Sequence, residues 1–325
     1  MTRTRVLGVA APLIFVFLWS TGYVGARYGL PDAPPFTLLA IRMALAGALL
    51  GVAAKATRTA FPRGEPLRRS AITGLLLHGG YLGGVFLGIS LGVPAGLSAV
   101  IVNIQPVLTS VLAGRYLNER VTRRQWVGLV LGFAGVSLAV GEKLTVSGDA
   151  RLNPWGLVAT VVALVAATAG TIHHKRHGGA IALLSGTAVQ YGAALVAFVV
   201  VALAFERGEP LRWTPRLLFA LGWMVLVLSL GAILLLLWLI RTNSASSVSS
   251  LLYLVPPLTA VEAYLLFDER FGLVAAFGAA LAVIGVALVR QRPAPGVAGS
   301  PASEEANGQR IASLTTHQGR EGMKP

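Results

Sequence analysis

Cysteine is absent from the 325 residues, which excludes disulfides, thiol nucleophiles and zinc sites built on thiolates. Charge is scarce as well. Only 12% of residues are charged, against about 25% in a soluble domain. A chain so poor in charge and 55% hydrophobic has lipid rather than water as its main solvent. Acids are the scarcer sign, 13 Asp and Glu against 27 Lys and Arg. In a soluble protein a net charge of +14 would point to nucleic acid. Here the basic residues sit in short segments between apolar runs, so they report topology, and no nucleic-acid partner is expected. The five histidines are too few for a di-iron membrane enzyme, although His173, His174 and His177 cluster as such a box would. A basic turn is the better reading of that cluster. No Gly-x-Ser-x-Gly elbow is present for a serine hydrolase, and no cofactor is expected.

What is present is a series of long apolar runs. A membrane-spanning helix takes about 20 residues, and ten segments qualify: 6–26, 35–54, 70–90, 97–116, 125–141, 154–172, 181–204, 217–240, 246–266 and 271–290. The expected class is therefore an all-α integral membrane protein. The first run is too long for a secretory signal and carries Trp19 and Tyr23, so it counts as a span. Alternate connections are rich in basic residues, with Lys55, Arg58, Arg63, Arg68 and Arg69 in one and Arg115, Arg120, Arg123 and Arg124 in another. Basic segments favour the cytoplasm, so both termini are expected there. Residues 293–325, rich in Pro, Gly, Ala and Ser, read as a disordered tail.

The sequence matches itself at an offset of 150 residues without a gap. Thr21 falls on Thr171, Thr37 on Thr187, Pro106-Val107-Leu108-Thr109 on Pro256-Pro257-Leu258-Thr259, and Glu119-Arg120 on Glu269-Arg270. Gly128 and Gly135 fall on Gly278 and Gly285. Each half, 1–145 and 150–292, then holds five spans. Five is odd, so the second half crosses the membrane in the opposite sense, the inverted repeat common among alternating-access carriers.

With these motifs in order, the chain resembles the EamA-type transporters of the drug/metabolite transporter superfamily. The resemblance rests on Trp19-Ser20-Thr21-Gly22-Tyr23, on Ala40-Ile41-Arg42, on Pro106 with Glu119-Arg120, and on Pro256-Pro257-Leu258-Thr259 with Glu269-Arg270. It implies two five-helix EamA repeats and alternating-access transport of a small solute. In bacteria that is often export of amino acids or related metabolites across the plasma (inner) membrane. It does not fix the solute. The partners expected are a small-molecule solute and the bilayer, with a homodimer left open. A membrane enzyme or a channel is the rival class.

Polar residues inside lipid are expensive, and each is a candidate for function. Arg42 and Glu262 lie at matched depths, roughly 10 Å from one end of their spans, and a direct or solute-bridged pair between them is expected. His78 sits mid-span, and the usual titration of a histidine near neutral pH would suit proton coupling; the alternative is a packed hydrogen-bond partner. Gln105 shares a helix stripe with Ser98 and Thr109, while Asn103 points elsewhere; both are lining candidates, as is Gln190. Trp19, Thr21 and Tyr23 form a polar-aromatic patch on the first span. Tyr253 and Glu262 fall on opposite faces of an ideal helix, so they line one cavity only if Pro256 and Pro257 bend it. Pro106, Pro256 and Pro257 open backbone carbonyls at matched places, as kinks or as helix breaks.

Overall fold

The computed structural model describes residues 3–22, 28–93, 98, 101–117, 120–145, 153–255, 258 and 273–289. Among the described residues every regular element is helical. In chain order they are α1 (Arg3–Ser20), α2 (Pro35–Ala56), α3 (Glu65–Ser90), α4 (Gln105–Tyr116), α5 (Arg123–Thr145), α6 (Pro154–His177), α7 (Leu183–Phe205), α8 (Pro215–Thr242), α9 (Ala245–Leu254) and α10 (Leu273–Val289). Five of them, α2, α3, α6, α7 and α8, are long and apolar enough to cross a membrane. Their outward faces stay apolar: Val200, Leu203, Val165 and Leu226 are more than half exposed, as lipid-facing side chains are.

Local chemistry sets the helix starts. Proline occupies the first turn of α2, α6 and α8, where its missing N–H costs nothing. Asn153, Thr214 and Ser244 cap α6, α8 and α9 by accepting a backbone N–H of the first turn. The start of α2 is capped from across the molecule. Glu206, just past the end of α7, accepts from Phe36 N and Thr37 N at 2.7 Å each and from the Thr37 hydroxyl at 2.7 Å. At the other end of the same pair, Ser185 donates to Ala60 O at 2.8 Å. α2 and α7 therefore run antiparallel, each start tied to the other's finish.

Small residues let helices approach where lipid supplies no hydrophobic drive. Gly80, Gly84 and Gly88 line α3 against Ala166, Ala159 and Thr160 of α6. In α5 and α10, a Cβ built on Gly128 would lie 2.5 Å from Gly285 O, and Gly135 faces Gly278 as closely. A shift of 150 residues turns the first contact into the second. The two close approaches are thus repeat counterparts of each other.

Two departures from α geometry also recur at that offset. α3 is π-helical over Leu75–Gly80 and α8 over Met224–Ala232. Before α4 the chain makes a turn at Asn103–Ile104, with Ile104 N bonded to Ile101 O at 3.1 Å, and Pro106 lies in the first turn of the helix that restarts. The matching stretch Leu251–Leu254 is a 3-10 turn. Proline at 106 clashes with the carbonyl four residues back, which explains a break just before it. The expected continuous span 97–116 is in fact interrupted there.

Outside the spans, Asp32 joins the loop before α2 to the start of α8. It accepts from Arg216 Nε at 2.8 Å and from the Thr214 hydroxyl at 2.7 Å. Those hydrogen bonds, the Arg216 one first, hold the Asp32 carboxyl below its usual range.

Candidate functional site

α1, α3, α4, α6, α8 and α9 line a small cavity of about 30 Å³. That is room for about two water molecules. Most of its wall is aliphatic. Trp19 and Tyr81 add aromatic surface, and His78, Gln105, Thr171 and Ser249 add polar atoms. Gln105 Nε2 donates to Thr171 Oγ1 at 3.2 Å, and Thr171 in turn donates to Ala167 O at 2.9 Å. These two polar groups therefore satisfy each other.

His78 and Ser249 differ. Both are buried, at 0% and 2% exposure. No hydrogen bond of good geometry reaches either imidazole nitrogen of His78 or the Ser249 hydroxyl among the described residues, although the Gln190 side chain stands close enough to interact with the His78 ring. A buried polar group without a partner costs roughly 1–3 kcal/mol. A ligand or water held in the cavity would satisfy both groups.

Behind His78 lies a second layer. Tyr191 packs edge-on against the imidazole at 4.7 Å between centroids and donates its hydroxyl to Ser229 O at 3.0 Å. Ser229 Oγ accepts from Arg42 Nε at 2.9 Å. Ser229, whose carbonyl Tyr191 uses, lies in the π-helical turn of α8, and the π-helical turn of α3 carries His78. Arg42 is buried, and this is its single hydrogen bond among the described residues. It stands one shell away from the cavity wall.

The structure distributes the expected site residues over several places. Trp19, His78 and Gln105 line the cavity. Thr21 instead accepts the indole N–H of Trp223 at 3.1 Å, which ties α1 to α8. Asn103 is buried in the turn before α4. Gln190 lines a separate pocket at the Arg69 end of the bundle. Tyr253 is fully buried with its ring against Gly132 of α5, away from the cavity wall. Tyr23, Glu262, Pro256 and Pro257 lie outside the described residues, and with them the expected Arg42–Glu262 pair.

Ser249, Tyr81 and Thr171 were not singled out from the sequence as wall residues. Thr171 carried a signal, since it is the repeat counterpart of Thr21. Ser249 sits in the serine-rich stretch 244–250, where one hydroxyl cannot be told from the next.

The family model described as the EamA-like transporter family matches twice, over residues 6–141 and 154–291. The uncharacterised inner membrane transporter YedA of Escherichia coli is 27% identical over 241 residues, covering 74% of this chain and 76% of that protein. A probable amino-acid metabolite efflux pump of Escherichia coli is 26% identical over 292 residues, covering 86% of this chain and 93% of that one. A crystal structure of a protein 22% identical in sequence superposes with a TM-score of 0.72, covering 88% of this chain and 96% of that chain, so the fold is shared.

Proposed function

The chain belongs to the EamA-like transporter family, and from that premise we propose that it is a secondary carrier that exports a small metabolite by alternating access. It is a multi-pass inner membrane transporter. The class of solute favoured is an amino acid or related compound, because a relative that matches over most of its length is named as an amino-acid metabolite efflux pump. The proposed architecture is ten spans in two inverted five-helix repeats, with both termini in the cytoplasm.

One observation carries the proposal: a small cavity, walled by helices of both halves, where among the described residues no hydrogen bond of good geometry satisfies the buried His78 ring or the Ser249 hydroxyl. At about 30 Å³ the cavity is too small for an amino acid, so loading requires the helices to part. A site reached only by opening, on elements repeated in opposite orientation, is what alternating access needs. Trp19 and Tyr81 would hold the apolar part of the solute, and His78 and Ser249 its polar group.

The test is counterflow in liposomes holding the purified protein. Amino acids should be taken up in a saturable way when a related solute is preloaded. Ser249→Ala and His78→Ala should raise the half-saturating concentration or abolish counterflow. Flux that does not saturate, or that is the same in both variants, would overturn the proposal.

A further inference from the structure

A second pocket lies at the Arg69 end of the bundle. Arg69 of α3, His174 and His177 of α6 and Arg241 of α8 converge on it, together with Ser70 and Gln190. Among the described residues no acidic side chain lines it. Glu65 holds Arg69 from the exposed rim through a 2.9 Å contact. His174 bonds Leu237 O at 3.3 Å. The Nε of Arg241 and the hydroxyl of Ser70 are buried donors without partners among the described residues.

The fold does not require cations at this place. The 150-residue shift carries Arg69, Ser70, Gln190 and Arg241 to Phe219, Ala220, Ala40 and Leu91. His177 alone among the cations falls on another basic residue, Arg27. At the opposite end, Phe219 stacks on Trp223 at 6.0 Å and Tyr28 meets Phe219 edge-on at 5.8 Å. One mouth of the bundle is thus basic and the repeat-equivalent mouth aromatic. A general bias of basic residues toward one side accounts for exposed arginines. It does not account for an Arg241 Nε and a Ser70 hydroxyl buried unpaired.

We propose that this pocket is an oxyanion site. Arg69 is held by Glu65 at the rim, but the Arg241 guanidinium and the Ser70 hydroxyl converge with no carboxylate between them, the arrangement that takes a phosphate or carboxylate group. The oxyanion comes from solution or from the headgroup of an anionic phospholipid, whose phosphate offers the same oxygens. The converging side chains leave no room for a bound group in this conformation, so binding draws them apart.

Thermal unfolding of the purified protein in an uncharged detergent tests this. Inorganic phosphate, at ionic strength held constant with sodium chloride, should raise the melting temperature saturably. Arg241→Gln should shift the half-saturating concentration by roughly tenfold or abolish the effect. Ser70→Ala should weaken it, while exposed Arg124→Gln should leave it unchanged. Ser70→Ala removes only an unpaired hydroxyl, so it keeps the test open should Arg241→Gln fail to fold.

A parallel series in phosphatidylcholine nanodiscs with and without phosphatidylglycerol separates the sources. Stabilisation by phosphatidylglycerol alone, lost in the pocket variants, assigns the headgroup. Stabilisation by phosphate assigns a soluble oxyanion. If chloride works as well as phosphate, or Arg124→Gln loses as much as the pocket variants, or neither series stabilises the wild type, there is no oxyanion site. The readout is binding, so either result leaves the carrier proposal to its own experiment.

Discussion

Trp223 donates its indole N–H to the hydroxyl of Thr21 at 3.1 Å, joining α8 to α1 at the aromatic mouth. Thr73, the repeat counterpart of Trp223, meets His173 Nδ1 at 2.9 Å and joins α3 to α6 at the basic mouth. Trp223 and Thr73 are repeat counterparts at opposite ends of the bundle, while their partners Thr21 and His173 are not counterparts. Both latches are closed, which agrees with the small cavity between them.

Opening one latch should therefore expose the cavity to one side. A hydrogen bond contributes about 0.5–1.5 kcal/mol, so its loss should shift the population of an open form by roughly two- to tenfold. The chain has no cysteine, so a single S249C serves as a clean reporter for an impermeant maleimide. Trp223→Phe should speed labelling in intact cells and Thr73→Val in inverted vesicles. Acceleration of the same side by both variants would sink the idea that they are separate gates.

The α5–α10 contact should tolerate no added carbon. A Cβ at 128 would press on Gly285 O at 2.5 Å, which is backbone and cannot turn aside. Gly128→Ala should cost about 1–3 kcal/mol and lower the melting temperature. Gly51 and Gly192 have open space around the built Cβ, and alanine there should leave melting unchanged or slightly raised. Equal effects at Gly128 and Gly192 would count against the close helix packing.

Glu206→Ala should destabilise by about 1–2 kcal/mol, because it strips the first turn of α2 of two acceptors. Glu206→Gln should cost less, since its carbonyl still accepts one N–H. The order of melting temperatures, wild type above Gln above Ala, is the check. A Gln variant no better than Ala would show that charge, not hydrogen bonding, makes this cap.

Asp32 predicts an acid limit to stability. Its carboxyl is held below the usual range, first by the Arg216 hydrogen bond and then by Thr214. A group whose folded pKa is depressed contributes stability above its unfolded value, about 3.9, and loses it as pH falls through the folded value. Wild-type melting should therefore drop on acidification below about pH 4. Asp32→Asn should be less stable at neutral pH and flatter across that window. Parallel curves for the two proteins would remove Asp32 as the cause.

Arg42 depends on Ser229 for its one hydrogen bond among the described residues. Ser229→Ala should cost about 1.5–3 kcal/mol, the range for a bond to a charged group. It should also perturb Tyr191 less than Arg42, because Tyr191 uses the backbone oxygen of Ser229. Melting of Ser229→Ala and Tyr191→Phe, alone and combined, separates these contributions. Strongly non-additive losses would show that the three residues act as one unit.

Composition alone determined that this chain lives in lipid, because charge so scarce cannot cover a water-facing surface. The 150-residue self-match determined its repeats, and the order of short motifs its family. These properties are written along the chain and need no packing to be read. Which side chains share a cavity is a different matter, and only the tertiary structure decided it. Trp19, His78 and Gln105 meet at one wall, while Gln190 turns to the basic mouth and Tyr253 to Gly132. The reason is rotational. A π-helical turn inserts a residue and rotates everything beyond it by about 100°. α3 and α8 each contain such a segment, and α4 restarts after the turn at Asn103–Ile104. An ideal-helix projection loses phase at those places, which hold His78, Ser229 and Gln105, and at the 3-10 turn that holds Tyr253. Gln190, on the unbroken α7, is placed by packing against Gly74 of α3.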